Sequence, residues 1–384
     1  AIMEHVQDLR DVFVDRTLGV TDELDPEHLL DGYARFVDAH TLEVNGEQIS
    51  AKSIVIATGT TPVVPAAWQA FRQDIITTDE VFELEDLPAS MAVIGLGSIG
   101  LELGQSISRL GVDVTGVDVV ENVAKLADPD VNRLAVDTIG KEFPLWLGAA
   151  AELEKVDGGI KVTAGNNEVI VEKVLASLGR SPNLADLGLE STGLELDDKG
   201  IPVYDPTTMQ CGDSHIYIAG DVNNDRALLH EAGHEGRVAG YNAVRQSSQR
   251  FKRKAMLGIT FCDPNIAIVG EQLDELDASE ILIGEVAFAP VGRALIMGKN
   301  RGLLRVYVNK TDGLVRGAAM ACVKGENLAH LLAWSIQQGM SVHDMLKMPF
   351  YHPVIEEALQ AALYNVVGHI EKKEEVVELE PVES

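Results

Sequence analysis

The stretch "MAVIGLGSIGLELGQSISRLGVDVTGVDV", residues 91–119, constrains the fold more than any other part of the chain. It reads as a buried strand, a glycine turn, a helix and a second strand. Gly95, Gly97 and Gly100 form a G-x-G-x-x-G pattern, and Asp118 ends the second strand 23 residues after Gly95. The first glycine makes the tight turn, the second lets backbone approach a pyrophosphate, and the third lets helix and strand pack closely. A pyrophosphate over Gly95, Leu96, Gly97, Ser98, Ile99 and Gly100 would meet free N–H groups and the positive dipole end of a helix. Asp118 would accept hydrogen bonds from an adenosine ribose. Strand, turn, helix, strand and acid in this order predict a dinucleotide site. The alternative is a glycine-rich strand–helix turn that holds no ligand. Asp118 would repel a 2′-phosphate, and the first basic residue after it is Lys125. NAD is therefore expected over NADP.

The remaining totals narrow the function classes. At 384 residues the chain has room for one to three domains. With 31 basic and 60 acidic residues the net charge is −29. Nucleic acids and anionic membranes call for basic patches, so both are disfavoured as partners, and a solvated acidic surface is expected. No apolar run approaches the ~20 residues that cross a bilayer. The opening "AIMEHVQDL" lacks the basic-then-apolar order of a secretory leader. A cytoplasmic location is expected. The first residue is not methionine, which is consistent with a processing boundary. Cys211, Cys262 and Cys322 are too far apart for C-x-x-C pairing, so packed thiols are expected, with no disulfide framework and no metal site.

Along the chain, Ile2, Met3, Val6, Leu9, Val12 and Phe13 recur at helical spacing. Asn45-Gly46 in "TLEVNGEQI" is a hairpin signal. "SIVIATG" (53–59), "KVLASLGRSPN" (173–183) and "HIYIAGDV" (215–222) each read as a buried strand ending at glycine. "LLRVYVNKTDGLVRGAAMAC" (303–322) alternates as a strand pair around Asp312-Gly313, and "NLAHLLAWSIQQGM" (327–340) is an amphipathic helix closed by Gly339. The final 371–384 reads as a frayed, charged tail. The order is α/β first, then α+β from about residue 251.

The three strand-to-glycine segments, with the fingerprint at Gly95, resemble the pyridine nucleotide–disulfide oxidoreductases. The resemblance implies a two-dinucleotide-binding, Rossmann-like flavoprotein fold for FAD and NAD(P), with a C-terminal α+β dimerisation domain. It implies an FAD-binding part at 1–88, an NAD-binding domain at 89–178, a second FAD-binding part at 179–250, an interface domain at 251–370 and the tail at 371–384. Thr58 and Gly59 would then belong to the FAD domain's first crossover, and Gly179 with Arg180 would close the NAD domain. Asp221 of "AGDV" would bond the ribityl or phosphate side of FAD, although a helix N-cap is its plainer role. Ala227, Leu228, Leu229 and His230 resemble the helix start beneath the flavin. Glu102 matches a position near the nicotinamide, although a first-turn acid facing the helix dipole is the alternative.

"MPFYHPVIEEAL" (348–359) carries the family's His-Pro pair followed by a glutamate. By resemblance His352 is the catalytic base and Glu357 orients it. Pro353 suits the first helical position, where its missing N–H costs nothing. Glu357 would hold one ring nitrogen and so select the tautomer. Apart from the family pattern, the same residues read as an ordinary helix start with a solvated acid.

The family's redox pair is a C-x-x-x-x-C after an earlier G-x-G-x-x-G, and this sequence has neither. On the family pattern about a hundred preceding residues are expected to be absent, judged from a domain of normal size. The NAD preference and the segment 330–359 resemble dihydrolipoyl dehydrogenase, which implies a lipoamide dithiol as substrate, a homodimer and association with a 2-oxo acid dehydrogenase complex. The cysteine pair that ends mercuric reductases is missing from this tail. Phe350 stands where many lipoamide enzymes carry another histidine. A glutathione reductase-like enzyme, a pyridine nucleotide transhydrogenase and a non-catalytic NAD-binding dimer module remain as other readings.

Overall fold

The computed structural model describes residues 2–374, 378 and 379, which form two compact units. The first contains 1–65, 79–86 and 178–253; the second contains 66–78, 87–177 and 254–384. The stretch 66–78, expected with the first segment, belongs to the second unit instead, because Ile75 and Ile76 pair in parallel with Val174 and Leu175.

In the first unit the opening helix runs Ile2–Asp22. A meander of Ala34–Asp38, Thr41–Val44 and Glu47–Ser50 follows. Its second turn has positive φ at Asn45 (52°) and Gly46 (84°), as a two-residue hairpin of this handedness requires. Ile54–Ile56 pairs in parallel with Ile216–Ile218. Phe36, Ile54, Ile56, Cys211, Ile216 and Ile218 fill the core between these strands. Each strand runs directly into a glycine-bearing turn, so the parallel pair sets Thr58-Gly59 and Gly220-Asp221 at the same end of the sheet.

In the second unit a five-stranded sheet has the order Ile75–Ile76, Lys173–Ala176, Ser90–Ile94, Asp113–Val117, Leu145–Trp146, with every neighbour parallel. Met91, Ala92, Val93 and Ile94 are all buried, the continuous apolar run of a strand covered on both faces. A three-stranded meander spans Glu152–Val156, Gly159–Ala164 and Asn167–Val171. From residue 257 an antiparallel five-stranded sheet forms, with Leu303–Asn309 and Val315–Cys322 paired as the sequence alternation predicts. The helices Gly325–Gln338 and Glu357–Val367 pack on it through one apolar core that includes Leu328, Leu332, Leu359 and Leu363. Gly339 ends the first of these helices at φ 67°. Of the expected tail, 375–377 and 380–384 lie outside the described residues. Glu371 and Lys372 donate their N–H groups to Lys310 and Thr311 carbonyls, so its start is tied down.

One buried polar hub joins the parallel-sheet part of this unit to the antiparallel part. Asp128 caps the helix Pro129–Ile139, taking the N–H groups of Asp130 (3.0 Å) and Val131 (3.2 Å). The same carboxylate receives Arg305 Nη1 (2.8 Å) and the Tyr307 hydroxyl (2.8 Å). Asp128 and Tyr307 are almost fully buried, and burial beside this carboxylate pushes the Tyr307 hydroxyl pKa far up. Asp128→Ala would leave the Arg305 guanidinium and the Tyr307 hydroxyl without their shared acceptor. Loss of one partner from a buried charged network costs about 3–5 kcal/mol, and urea unfolding of the variant is expected to show a loss of that size. A loss under about 1 kcal/mol would mean the hub contributes little.

Candidate functional site

The glycine turn is built as its spacing requires. Gly95 has φ 94° and donates its N–H to Val117 O (2.8 Å), which anchors the turn to the neighbouring strand. A Cβ on Gly100 would lie 1.9 Å from Gly95 O, so only glycine fits where the helix Ser98–Arg109 crosses the turn. A Cβ on Gly97 would meet nothing within 4 Å. Gly97 therefore faces open space, and the first-turn N–H groups at Ser98, Ile99 and Gly100 have no intrahelical acceptor. Ser98 and Ile99 are exposed, whereas Leu96 is buried beneath the turn. Asp118 receives Leu96 N–H (2.6 Å) and Val120 N–H (3.2 Å), so its carboxylate is fixed at the rim of the turn. A carboxylate has about four lone-pair sites and keeps capacity for ribose hydroxyls.

The same helix is fastened along one face to the loop 260–263. Ser98 Oγ meets Thr260 Oγ1 (2.7 Å), Glu102 Oε1 accepts Phe261 N–H (2.7 Å), and Gln105 Oε1 accepts Asp263 N–H (2.7 Å). Glu102 lies one turn into the helix, and its partner is a loop amide rather than the helix terminus. Burial raises its pKa, and the Phe261 N–H opposes that shift.

After the strand Ile54–Ile56, Thr58 and Gly59 are knitted to 179–183. Thr58 Oγ1 donates to Asn183 O (2.9 Å), Asn183 Nδ2 donates to Thr58 O (3.0 Å), and Arg180 Nε donates to Thr60 Oγ1 (2.8 Å). Gly179, with φ 91°, accepts Val63 N–H (3.0 Å) through its carbonyl and is exposed in the first unit. Asp221 is the first residue of a short 3-10 turn whose N-cap is Gly220. Its half-exposed carboxylate has no hydrogen-bond partner among the described residues, so it is not serving as a cap. Ala227, Leu229 and His230 are exposed around the start of the helix Leu229–Ala243, and Leu228 is its half-buried N-cap.

His352 and Glu357 are brought together. His352 Nδ1 lies 2.8 Å from Glu357 Oε1, while Glu357 Oε2 accepts Val354 N–H (3.0 Å). The His352–Pro353 peptide is cis. Pro353 does not occupy the first helical position: the helix is Glu357–Val367 with Glu356 as its N-cap. The Glu357 carboxylate binds both His352 and the Val354 amide, and that bracket holds 352–356 as a bend ahead of the helix. These two contacts, the His352 bond foremost, hold the Glu357 carboxyl below its usual pKa. The His352 side chain is 81% exposed, with its Nε2 edge free of any partner among the described residues.

Several residues were not singled out by sequence. Asp128 precedes a proline at the first helical position, a readable N-cap signal. Arg180 was noted, but Asn183 was not, and its clamp on Thr58 has no local signature. The three cysteines are unpaired and buried.

Residues 17–236 match the family described as "Pyridine nucleotide-disulphide oxidoreductase", and 256–363 match that family's dimerisation domain. The chain belongs to this family. It is 31% identical to a mercuric reductase of Staphylococcus aureus over 83% of its length, and 30% identical to a dihydrolipoyl dehydrogenase of Haloferax volcanii over 95%. It spans 59% of the former protein and 81% of the latter. Its fold matches LpdA from Mycobacterium tuberculosis with a TM-score of 0.84 at 21% identity, covering 95% of this chain and 83% of that one. The family uses FAD and NAD(P). The open cradle over Gly97 fits a pyrophosphate, and the unpartnered Asp221 carboxylate fits a hydroxyl-rich ribityl or ribose group. No helix among the described residues is long and apolar enough to cross a membrane.

Two outcomes test this geometry. Gly97→Ala should cost only about 0.5–1 kcal/mol of stability, because alanine is a poorer N-cap than glycine, yet weaken dinucleotide binding about tenfold or more, because its methyl fills the pyrophosphate approach. Gly100→Ala should destabilise by about 1–3 kcal/mol through overpacking. Equal effects of the two on stability would contradict the separate tasks, as calorimetry with and without NAD would reveal. For Glu357, a lowered folded-state pKa means the contact with His352 adds stability above the ordinary glutamate pKa of 4.5 and loses it as pH falls through the lowered value. A carbon-13 titration of Glu357 should give a midpoint below 4.5, and His352→Ala should move it upward.

Proposed function

We propose that the complete gene product is a dihydrolipoyl dehydrogenase-type flavoprotein. It oxidises dihydrolipoamide through a redox disulfide and FAD, and reduces NAD. The observation that carries this reading is the 2.8 Å contact between His352 Nδ1 and Glu357, which leaves the other ring nitrogen free. The disulfide this reaction needs is not among these 384 residues, so the activity is assigned to the complete protein.

In this reading Glu357 fixes the tautomer, and His352 Nε2 takes the proton of the attacking thiol. The dithiol becomes a disulfide and gives up two electrons. When bound, FAD supplies the two-electron relay between thiol and nicotinamide. Asp221 accepts hydroxyl hydrogen bonds on the flavin side, and Gly95, Gly97 and Gly100 shape the seat of the NAD pyrophosphate. Asp118 favours the 2′-hydroxyl of NAD over a 2′-phosphate, since no lysine or arginine pairs with it among the described residues. A homodimer is part of the proposal. His352 is too exposed to be enclosed by its own surroundings, and a partner's redox pair would cover it. The cytoplasm is the proposed location, and a 2-oxo acid dehydrogenase complex the proposed assembly.

Phe350 favours one second reading, a pyridine nucleotide transhydrogenase, since the residue two before the base departs from the lipoamide pattern. A soluble pyridine nucleotide transhydrogenase of Mycobacterium bovis is 28% identical over 88% of the chain. NADH formation from dihydrolipoamide and NAD, run beside glutathione with NADP and beside NADPH with NAD, separates these readings. Dihydrolipoamide turnover with NAD is expected, and His352→Ala should lower it by about 10²–10⁴-fold, the usual worth of a positioned base, with FAD still bound. Near-normal turnover of His352→Ala would remove the base assignment. No turnover with any pair, in a protein that binds NAD, would favour a non-catalytic dimer module.

A further inference from the structure

The most heavily charged buried cluster of the first unit lies directly beneath Asp221. Glu235, on the helix Leu229–Ala243, is 1% exposed, and Glu231, one turn earlier, is 2% exposed. Glu235 Oε2 accepts the Gly220 N–H (2.8 Å) and Asn223 Nδ2 (2.7 Å). Asn223 is itself buried, and its Oδ1 takes the Asp225 N–H (3.0 Å). One buried oxygen therefore grips the chain on both sides of Asp221, immediately before it and two residues after it. Gly220 holds φ 78° and ψ −165°, a conformation open to glycine alone, and the bond from its N–H is what secures that turn.

The other Glu235 oxygen meets Arg253 Nη2 (2.6 Å). Arg253 also pairs with Asp225 and, through Nε, with Glu231 (3.3 Å), while Arg226 Nη1 holds Glu231 from the other side (3.0 Å). Two arginines thus balance three carboxylates, of which Glu231 and Glu235 are buried and Asp225 is exposed. Taking such charges from water costs several kcal/mol each, and well-packed apolar residues of similar volume would often be as stable. The cluster's distinctive product is geometry: a loop whose one unpartnered carboxylate, Asp221, is presented at a fixed angle.

Building on the reading of Asp221 as a flavin-side acceptor, we propose that Glu235, held in place by Arg253, is the positioning residue that sets Asp221 for FAD. Glu235 touches no cofactor itself. It acts through Gly220 and Asn223, so its contribution to FAD affinity vanishes when the Asp221 carboxylate is gone.

The test is a double-mutant cycle on the complete protein, read as the FAD dissociation constant from flavin fluorescence, with NAD affinity as the control for folding. Asp221→Ala should weaken FAD binding. Glu235→Gln, which keeps the shape but removes the charge facing Arg253, should weaken it by about tenfold, the scale of a disturbed buried acceptor. The double variant should match Asp221→Ala within about twofold, because contacts acting through one group do not add. NAD affinity should stay within about twofold throughout, since neither side chain bonds to the glycine turn. Asn223→Ala, which removes one grip and leaves the Glu235–Arg253 pair intact, provides a second cycle if Glu235→Gln does not fold. A Glu235→Gln loss that multiplies fully with Asp221→Ala would mark Glu235 as merely structural and overturn the proposal. So would unchanged FAD affinity in a Glu235→Gln variant whose Asp221→Ala counterpart is weakened. If Asp221→Ala leaves FAD binding intact, the reading of Asp221 falls as well, and that result is distinct from the other two.

Discussion

The close approach of Gly100 to the Gly95 carbonyl is the contact on which the nucleotide-binding geometry rests. A methyl at Gly100 would stand 1.9 Å from that oxygen, so helix and strand meet at backbone distance. Only this allows the first-turn amides of the helix to face the open space over Gly97. The buried strand Ser90–Ile94, which sets the level of the turn, and Asp118, which ties Leu96 to the adjacent strand, both depend on that spacing. The polar face of the same helix, through Ser98, Glu102 and Gln105, then carries the geometry across to the loop 260–263.

A common arrangement recurs in both units: buried or half-buried carboxylates hold backbone amides. Glu235 secures Gly220, Glu102 secures Phe261, Glu357 secures Val354, and Asp128 secures the start of a helix. At the two buried positions, Glu235 and Asp128, the carboxylate takes an N–H whose unmade bond would cost about 1–3 kcal/mol. In a chain with 60 acidic residues, part of the acidity therefore has an architectural use as well as a solvating one.

Local chemistry made some of this legible in the sequence. Gly95, Gly97 and Gly100 follow from steric demands that act within six residues, and Asn45-Gly46 from a turn that needs positive φ. His352 and Glu357 are linked only through the family resemblance, and the structure sets them 2.8 Å apart. Pro353 was misplaced because the pull of Glu357 on the Val354 amide outweighs the proline's preference for a first helical turn. Residues 66–78 were assigned to the wrong unit because a two-residue strand has too little periodicity to read. Glu235, Arg253, Asn183 and Arg305 were silent because their partners lie well away in sequence, or one turn below a loop, and no short-range pattern marks such pairs.

The three buried cysteines give the chain a chemical quiet. Burial pushes Cys211 and Cys262 up to about 12, and Cys322 is shifted in the same direction. At neutral pH almost none of this sulfur is thiolate, the nucleophilic form that reacts readily with alkylating agents, disulfides and mercurials. In the complete protein these positions would form a blank background. Rapid labelling by such a reagent would report on whichever other thiol does the redox work, with no need to strip these three away first.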